Sequence, residues 1–223
     1  MTNTQAPIHA VLFDYGMVLS APPDPSQWQR MLEISKLDEQ EFEQGYWAFR
    51  HAYDRGELNA VDYWHKVAER SGVTFDASQI EGLIHADVEL WTLPNTPMIE
   101  WAQRLQAAGI RTGILSNIGD AMTDGLLRKL EWLSGFDHHT WSYRLLLAKP
   151  EAAIYEAAAR GLETPPANIL FIDDKPENIA AAKATGMQAI QYNDHAVFLR
   201  EMDERGLVHL LEPAGAFHDK SAN

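Results

Sequence analysis

Four groups of polar residues in this chain have the types and spacing needed for phosphate or metal chemistry. They follow predicted strands or begin predicted helices, and they are Asp14, Ser116-Asn117, Lys149 and Asp173-Asp174. Each alone has an ordinary structural explanation, as a turn residue or a helix cap. Three carboxylates brought together repel one another, and a divalent cation relieves that repulsion. Oxygen ligands of this kind favour Mg²⁺ over zinc.

Cations and hydrogen-bond donors accompany these carboxylates. Lys149 adds a positive charge, and the Ser116 hydroxyl with neighbouring backbone amides can donate to phosphate oxygens. The chain has a formal net charge of −14, so its surface field opposes an anionic substrate unless such local donors are present. The residues therefore indicate a site for a phosphate group and Mg²⁺.

The elements that must position these residues alternate between strands and helices. Strands are predicted at Ile8–Phe13, Ile110–Leu115, Asn168–Ile172 and Met187–Gln191. Helices are predicted at Thr96–Ala108, Asp120–Leu130, Pro150–Gly161 and Pro176–Thr185. Such alternation predicts an α/β fold, a Rossmann-like parallel sheet with helices on both faces. Ligands bind beyond the carboxyl ends of the strands in such sheets, where the four polar groups fall.

A helical segment separates the first strand from the rest of the sheet. Helices are predicted there at Phe42–Arg55, Ala60–Arg70 and Ser78–Leu90. Asp38, in a possible capping box, and Asn59 are placed to cap the first two of these helices, and proline-containing linkers flank the segment. We therefore predict a core of residues 1–20 and 95–223 with a helical cap at 21–94, inserted where a lid would cover the site.

Composition narrows the classes of function. Of the 223 residues, 46% are hydrophobic, which is enough for a folded core, and the absence of cysteine excludes a thiol nucleophile or a Cys-ligated metal. The acidic balance argues against nucleic acid as a partner. No apolar run nears the roughly 20 residues needed to span a bilayer, and no signal-peptide pattern begins the chain, so no membrane association and a cytoplasmic location are expected. The oligomeric state is unknown from the sequence, and His218–Asn223 is predicted to be a loose tail.

The ordered motifs resemble those of the haloacid dehalogenase-like (HAD) hydrolase superfamily. They are FDYGMV at Phe13–Val18, ILSN at Ile114–Asn117, AKP at Ala148–Pro150 and FIDDKPEN at Phe171–Asn178. The resemblance covers about residues 8–200. The helical insert between the first two motifs looks like the α-helical cap of subfamily IA.

The resemblance implies a magnesium-dependent phosphatase in which Asp14 attacks phosphorus and forms an aspartyl-phosphate. Mg²⁺ would be held by the Asp14 carboxylate, the Gly16 carbonyl and Asp174, with Asp173 acting directly or through water.

The resemblance assigns phosphate binding to the residues around these ligands, namely Ser116, Asn117, Lys149, Tyr15 and Gly16. Ser116 and the Asn117 backbone would hold the phosphate, and Lys149 would screen its charge. Asn178 would support the acidic loop. A small phosphorylated metabolite, such as a sugar phosphate, is the expected substrate.

Gly16 departs from the pattern of most phosphatases in this superfamily, which carry a second Asp two residues after the nucleophile. That Asp protonates the leaving alcohol, a contribution of about 10²–10⁴-fold. The variant with Gly is similar to a branch of bacterial sugar-phosphate phosphatases that includes α-glucose-1-phosphate phosphatase. Without an acid, we expect a preference for good leaving groups and a rate that falls steeply as the leaving-group pKa rises. Asp24 or His51 could substitute as the acid, and Arg50 could face a sugar or a second anion.

Two other functions use the same residues. A 2-haloacid dehalogenase also has an Asp nucleophile, but it needs no metal, and its first motif is spaced differently from Asp14-Tyr15-Gly16. A non-catalytic protein that binds a phosphorylated ligand is favoured by Gly16. It is disfavoured by the retained Asp14, Lys149 and distal acids, since a binding module does not need a like-charge cluster.

Overall fold

A computed structural model describes residues 6–212 and shows one five-stranded sheet. The strands are β1 (Ala10–Phe13), β2 (Arg111–Ser116), β3 (His138–Trp141), β4 (Ile169–Asp173) and β5 (Gln188–Gln191). They lie in the order β3-β2-β1-β4-β5, and every neighbouring pair is parallel. The predicted α/β fold is confirmed. The chain moves outward from β1 to β3 and then crosses to β4, so the switch in strand order falls between β1 and β4, where a ligand crevice forms.

Ten α-helices occur in the described residues 6–212. They are α1 (Pro25–Ser35), α2 (Glu39–Arg55), α3 (Ala60–Arg70), α4 (Ala77–Leu90), α5 (Thr96–Ala107), α6 (Asp120–Lys129), α7 (Ser142–Leu145), α8 (Ala152–Gly161), α9 (Pro176–Ala184) and α10 (His195–Glu204). The helices predicted from sequence are present with small shifts at their ends. One start is wrong, because α8 begins at Ala152 and Pro150 belongs to the preceding turn. The predicted tail lies outside the described residues.

Both faces of the sheet are buried. Val11 and Phe13 belong to one apolar cluster, and Ala10 and Leu12 belong to a second, as expected because successive strand residues point to opposite faces. The first cluster extends beyond the sheet to residues of the inserted helices, including Phe42. The helical insert and one face of the sheet therefore share a continuous core.

The inserted helices leave and rejoin the sheet at one point. Ser20 and Pro94 form an antiparallel bridge, the Ala21 amide donates to the Leu93 carbonyl at 2.8 Å, and the Asn95 amide donates to the Leu19 carbonyl at 2.9 Å. Within the insert, α1 packs on α4 and α2 packs on α3. The pairing of the two linkers holds the four inserted helices above the carboxyl end of β1.

Residue types at the helix ends account for the boundaries of the insert. The Asp38 carboxylate accepts from the Glu41 amide at 2.9 Å, and the Asn59 side chain accepts from the Asp62 amide at 2.9 Å, so two helix starts are capped as predicted. Gly56 ends α2 with φ +86°, a conformation in which glycine is favoured. None of the helices in residues 6–212 has the length and apolar character needed to cross a membrane.

Candidate active site

Asp14 lies directly after β1, at the buried centre of the sheet edge. Its amide donates to the Ile172 carbonyl of β4 at 2.8 Å, which continues the strand pairing by one residue. The Asp14 Oδ1 atom accepts from the Tyr15 amide at 2.7 Å. The chain then makes a wide turn in which Met17 takes φ +62° and the Ser20 amide returns to the Tyr15 carbonyl. The turn leaves the Asp14 side chain at the floor of a cavity.

Lys149 joins two of the carboxylates. Its Nζ atom lies 2.8 Å from Asp14 Oδ1 and 2.6 Å from Asp173 Oδ2, and the residue is buried. Burial alone would lower the pKa of this lysine, but Asp14 and Asp173 raise it above the ordinary value. Lys149 is therefore a fixed cation beside the candidate nucleophile.

Asp173 is fully buried, and donors surround its carboxylate. Besides Lys149, it accepts from the Lys175 amide at 2.8 Å and from the Asn178 side-chain amide at 2.9 and 3.0 Å. Burial opposes ionisation of Asp173, but Lys149 and these donors outweigh it and hold its pKa below the ordinary value. Because its oxygens are already engaged, Asp173 is suited to hold its neighbours in place.

The three aspartates form a cluster that suits a hard cation. One carboxylate oxygen each from Asp14, Asp173 and Asp174 lie within 4.8 Å of one another, and oxygen-only donors are what Mg²⁺ prefers. Asp174 is half-buried, and both burial and the charge of Asp173 raise its pKa. Burial also raises the pKa of Asp14 to about 7, with Lys149 opposing the rise and Asp173 adding to it. The donor set and the excess negative charge therefore fit a divalent metal ion.

Ser116 and Asn117, at the end of β2, reach the same cavity. The Asn117 side chain donates to the Lys149 carbonyl at 2.9 Å and accepts from the Lys149 amide at 2.8 Å. This reciprocal pair fixes the loop that carries the lysine. Ser116 is buried, and no described residue makes a side-chain hydrogen bond with its hydroxyl, so that group can donate to a ligand.

Tyr15 and Gly16 also line the cavity, but the Tyr15 side chain turns away from the carboxylates. Its hydroxyl donates to the Trp91 carbonyl at 2.6 Å, at the end of α4. Gly16 takes φ −64° and ψ +133°, which any residue can adopt, and a Cβ built there would meet only the Trp91 ring at 3.6 Å. The backbone therefore does not require glycine at position 16. The phosphate-binding roles of Tyr15 and Gly16 stay predictions.

The roof of the cavity, which has a volume of about 320 Å³, comes from the inserted helices. The lining residues on α2 are Trp47, Arg50, His51 and Asp54. They recur at the three- and four-residue spacing of one helix face.

The structure separates the candidate substitutes for the missing acid. Asp24 is not in the cavity lining, and its carboxylate accepts from the Ser26 amide at 2.8 Å as the cap of α1. His51 does line the cavity. Arg50 also reaches it, with its guanidinium paired with Asp54 and Asp87, and the idea that it faces a sugar or a second anion stays a prediction.

Sequence reasoning missed Asp54 and Trp91 among the lining residues. Asp54 could have been found, because it continues the spacing of Trp47 and His51 on α2. Trp91 follows the end of α4, and no local pattern shows that this helix end returns to the Asp14 turn.

The family comparison matches residues 10–186 to the haloacid dehalogenase-like hydrolase model. Among curated proteins, the pig bifunctional epoxide hydrolase 2 is 26% identical over 92% of this chain, which covers 40% of the pig protein. The sesquiterpene phosphatase astK from Aspergillus oryzae is 26% identical over 67% of this chain and 75% of its own length. An (S)-2-haloacid dehalogenase from Pseudomonas sp. is 29% identical over 40% of this chain and 39% of its own length.

Solved structures show the same fold. A HAD family enzyme from Bacteroides thetaiotaomicron, in complex with magnesium and inorganic phosphate, superposes with a TM-score of 0.70 at 20% identity, covering 86% of this chain and 100% of that one. The L-2-haloacid dehalogenase from Xanthobacter autotrophicus superposes with a TM-score of 0.61 at 18% identity, covering 97% and 91%. Since the family model spans most of the sequence, this chain belongs to the haloacid dehalogenase-like hydrolases.

Proposed function

We propose that this hydrolase is a Mg²⁺-dependent phosphatase that acts through an aspartyl-phosphate on Asp14. The observation that carries the proposal is the charge arrangement around Lys149, whose Nζ lies 2.8 Å from Asp14 and 2.6 Å from Asp173. With Asp174 beside them, the site holds three carboxylates and one cation. Such a site is suited to a divalent metal ion together with a phosphate dianion.

Each residue of the site has a distinct role in the proposed reaction. The free oxygen of Asp14 attacks phosphorus, while its Oδ1 atom stays bound to Lys149 and the Tyr15 amide. Ser116 and the backbone amides after β2 donate to the phosphoryl oxygens. Asp14, Asp174 and the Gly16 carbonyl would hold Mg²⁺, with Asp173 acting directly or through water. The ion would supply charge neutralisation for the transferring group.

Residues 21–94 act in this proposal as a cap that shapes the space for the leaving group. Trp47 is 55% exposed and Met17 is 37% exposed, and both line the cavity together with Trp91. A small phosphorylated metabolite fits a cavity of this size, and a sugar phosphate is one such substrate. The presence of a phosphatase such as astK among the curated relatives supports the class of reaction.

The test is hydrolysis of p-nitrophenyl phosphate by the wild type with Mg²⁺, with chelator, and by Asp14→Asn. We expect phosphate release that chelation abolishes and that the variant lowers by at least about 10³-fold, because the nucleophile is lost. Asn has nearly the same shape as Asp, so thermal unfolding of the variant should show an intact fold. Activity that persists in Asp14→Asn or in chelator would reject the mechanism.

A 2-haloacid dehalogenase is the second candidate, since haloacid dehalogenases also occur among the relatives. Such an enzyme needs the Asp nucleophile but not the metal, and it places the halide in an apolar pocket. Here Asp174 adds a third carboxylate beside the nucleophile, which would oppose a departing anion. Release of chloride from 2-chloropropionate in chelator, with no phosphatase activity, would favour the dehalogenase. No turnover of either substrate by folded protein would favour a binding role.

A further inference from the structure

The proposed phosphatase reaction needs a proton at the leaving oxygen, and the floor of the site does not supply one. Position 16 is glycine, Asp173 is held by Lys149 and Asn178, and Asp174 is assigned to Mg²⁺ in the proposed site. An alcohol leaves as an alkoxide unless a nearby acid protonates it, at a cost of about 10²–10⁴-fold in rate. The acid must therefore come from another part of the cavity.

Helix α2 places Asp54 in that cavity. The residue lies one turn beyond Arg50 and His51 on the face of α2 that lines the space above Asp14. The Asp54 side chain is 16% exposed. Oδ1 accepts from Arg50 Nε at 3.0 Å, whereas Oδ2 accepts no hydrogen bond from any residue in the described part of the chain. One oxygen is thus anchored, and the other remains available to a ligand.

Charge balance within the insert favours a proton on this carboxyl group. Arg50 serves two carboxylates at once, Asp54 and Asp87. Asp87 takes the larger share, because both its oxygens accept from Arg50 Nη1, at 3.1 and 3.0 Å, and Tyr46 donates to it at 2.7 Å. One guanidinium cannot neutralise two buried carboxylates, and the excess charge falls on Asp54.

The backbone of Asp54 is tied to the phosphate-binding side of the site. The Ser142 hydroxyl donates to the Asp54 carbonyl and accepts from the Ile118 amide at 2.8 Å. Two residues further on, Gly56 packs so closely on Tyr143 that an added Cβ would collide with the Tyr143 carbonyl oxygen. The end of α2 is therefore seated on the loops that follow β2 and β3, and Asp54 has a fixed position relative to Ser116 and Asn117.

We propose that Asp54 is the general acid and base of this enzyme, replacing the carboxyl group that position 16 lacks. This inference rests on the proposed phosphatase function. As Asp14 attacks phosphorus and the bond to the leaving oxygen breaks, that oxygen takes the electron pair and the Asp54 proton. The Asp54 carboxylate then accepts a proton from water, whose oxygen attacks the phosphorus of the aspartyl-phosphate. Phosphate and the Asp14 carboxylate are released, and Asp54 is protonated again.

Electrostatics agrees with this role. The pKa of Asp54 is raised to about 6, mainly by burial and also by the charge of Asp87, against the opposing effects of Arg50 and Lys175. A carboxyl group in this range can both lose and regain a proton near neutral pH.

The test compares Asp54→Asn with Glu43→Gln, an exposed carboxylate-to-amide change on the same helix. With p-nitrophenyl phosphate the first step needs no acid, so a burst of p-nitrophenolate in Asp54→Asn should stay within about threefold of the wild-type rate. Steady-state turnover, which needs the base, should fall by at least about 100-fold, and turnover of an alkyl phosphate should fall at least as much. Glu43→Gln should match the wild type on both substrates.

Adding Gly16→Asp to Asp54→Asn supplies a carboxyl group at the position that accepts a Cβ, and alkyl phosphate turnover should recover at least about tenfold. Unchanged steady-state rates in Asp54→Asn would overturn the proposal. An equal loss of burst and turnover would also overturn it, since it would indicate a structural role. The selective loss occurring in His51→Asn instead would assign the role to His51. Failure of the wild type to hydrolyse p-nitrophenyl phosphate would reject the phosphatase function itself.

Discussion

At the scale of single residues, the site contains two groups of buried carboxylates, and each group has a single cation. Lys149 lies between Asp14 and Asp173 on the sheet edge, and Arg50 lies between Asp54 and Asp87 in the insert. Each cation therefore faces two carboxylates, one more than it can neutralise, and Asp174 adds a third carboxylate to the first group. Burial makes that excess costly, and in our proposals a metal ion relieves the cost in the first group and a proton relieves it in the second.

The group of Arg50, Asp54 and Asp87 predicts how the stability of the folded protein depends on pH. The pKa of Asp54 is about 6 in the folded state, and its ordinary value is 3.8. Between these two pH values, the folded state keeps a proton on Asp54 that the unfolded state has lost. The stability of the wild type relative to Asp54→Asn should therefore fall as pH rises through this window and then level off. At about 1.4 kcal/mol per pH unit, the full change is about 2–3 kcal/mol.

Denaturant unfolding of both proteins at several pH values measures this difference directly. Asn keeps the oxygen that accepts from Arg50, so the comparison isolates the ionisation of Asp54. A difference that does not change between about pH 4 and 7 would contradict the predicted proton on Asp54.

At the scale of elements, the end of α2 is where the insert contacts the segment after β3. Gly56 ends the helix with φ +86° and packs against the Tyr143 backbone. Gly72, after α3, has a similar φ of +66°, but a Cβ there would meet nothing within 4 Å. The two glycines share a backbone conformation and differ in their surroundings.

Substituting each glycine distinguishes the cost of backbone strain from the cost of disturbing the contact between α2 and Tyr143. Gly72→Ala should cost about 1 kcal/mol of unfolding free energy through strain alone. Gly56→Ala should cost at least about 1–2 kcal/mol more, because its Cβ collides with backbone, and it should lower phosphatase turnover by displacing Asp54. Equal losses of stability, with equal activity, would show that the end of α2 is not held against the core.

The sequence predicted the elements that have strong local signals. The apolar run before Asp14 and the caps Asp38 and Asn59 indicated a strand and two helix starts that the structure contains. Strand β3, with the sequence HHTW, was missed because it is four residues long and has no apolar run. The polar groups at the strand ends meet at one edge, since parallel strands bring their carboxyl ends together.

Contacts between distant segments were not predictable in the same way. The helical spacing of the α2 residues that line the cavity is visible in the sequence, but the direction in which that helix face points is not. The ion pairs of Arg50 depend on Asp87 from α4, 37 residues away. No local pattern encodes such a pairing, because it is set by the packing of α2 and α4 within the insert. The sequence therefore pointed to Asp24, which is a helix cap, and to His51, which lines the cavity, as substitute acids.

At the scale of the whole molecule, the insert and the sheet form one packed body over the site. One apolar cluster includes Phe13 of β1 and Phe42 of α2, and the two linkers pair at Ser20 and Pro94. The resulting cavity has a carboxylate floor and a mixed aromatic and polar roof. With a net charge of −14, entry of the proposed phosphate ester would depend on Lys149 and on a bound metal ion.

The covalent aspartyl-phosphate is the central claim, and rapid quenching followed by mass spectrometry tests it most directly. The wild type, mixed with p-nitrophenyl phosphate and Mg²⁺ and quenched in acid, should carry one phosphoryl group on the peptide that contains Asp14. Asp14→Asn should carry none, and Asp54→Asn should accumulate more than the wild type because its second step is slow. Rapid phosphate release with no phosphorylated Asp14 at any quench time would contradict the mechanism.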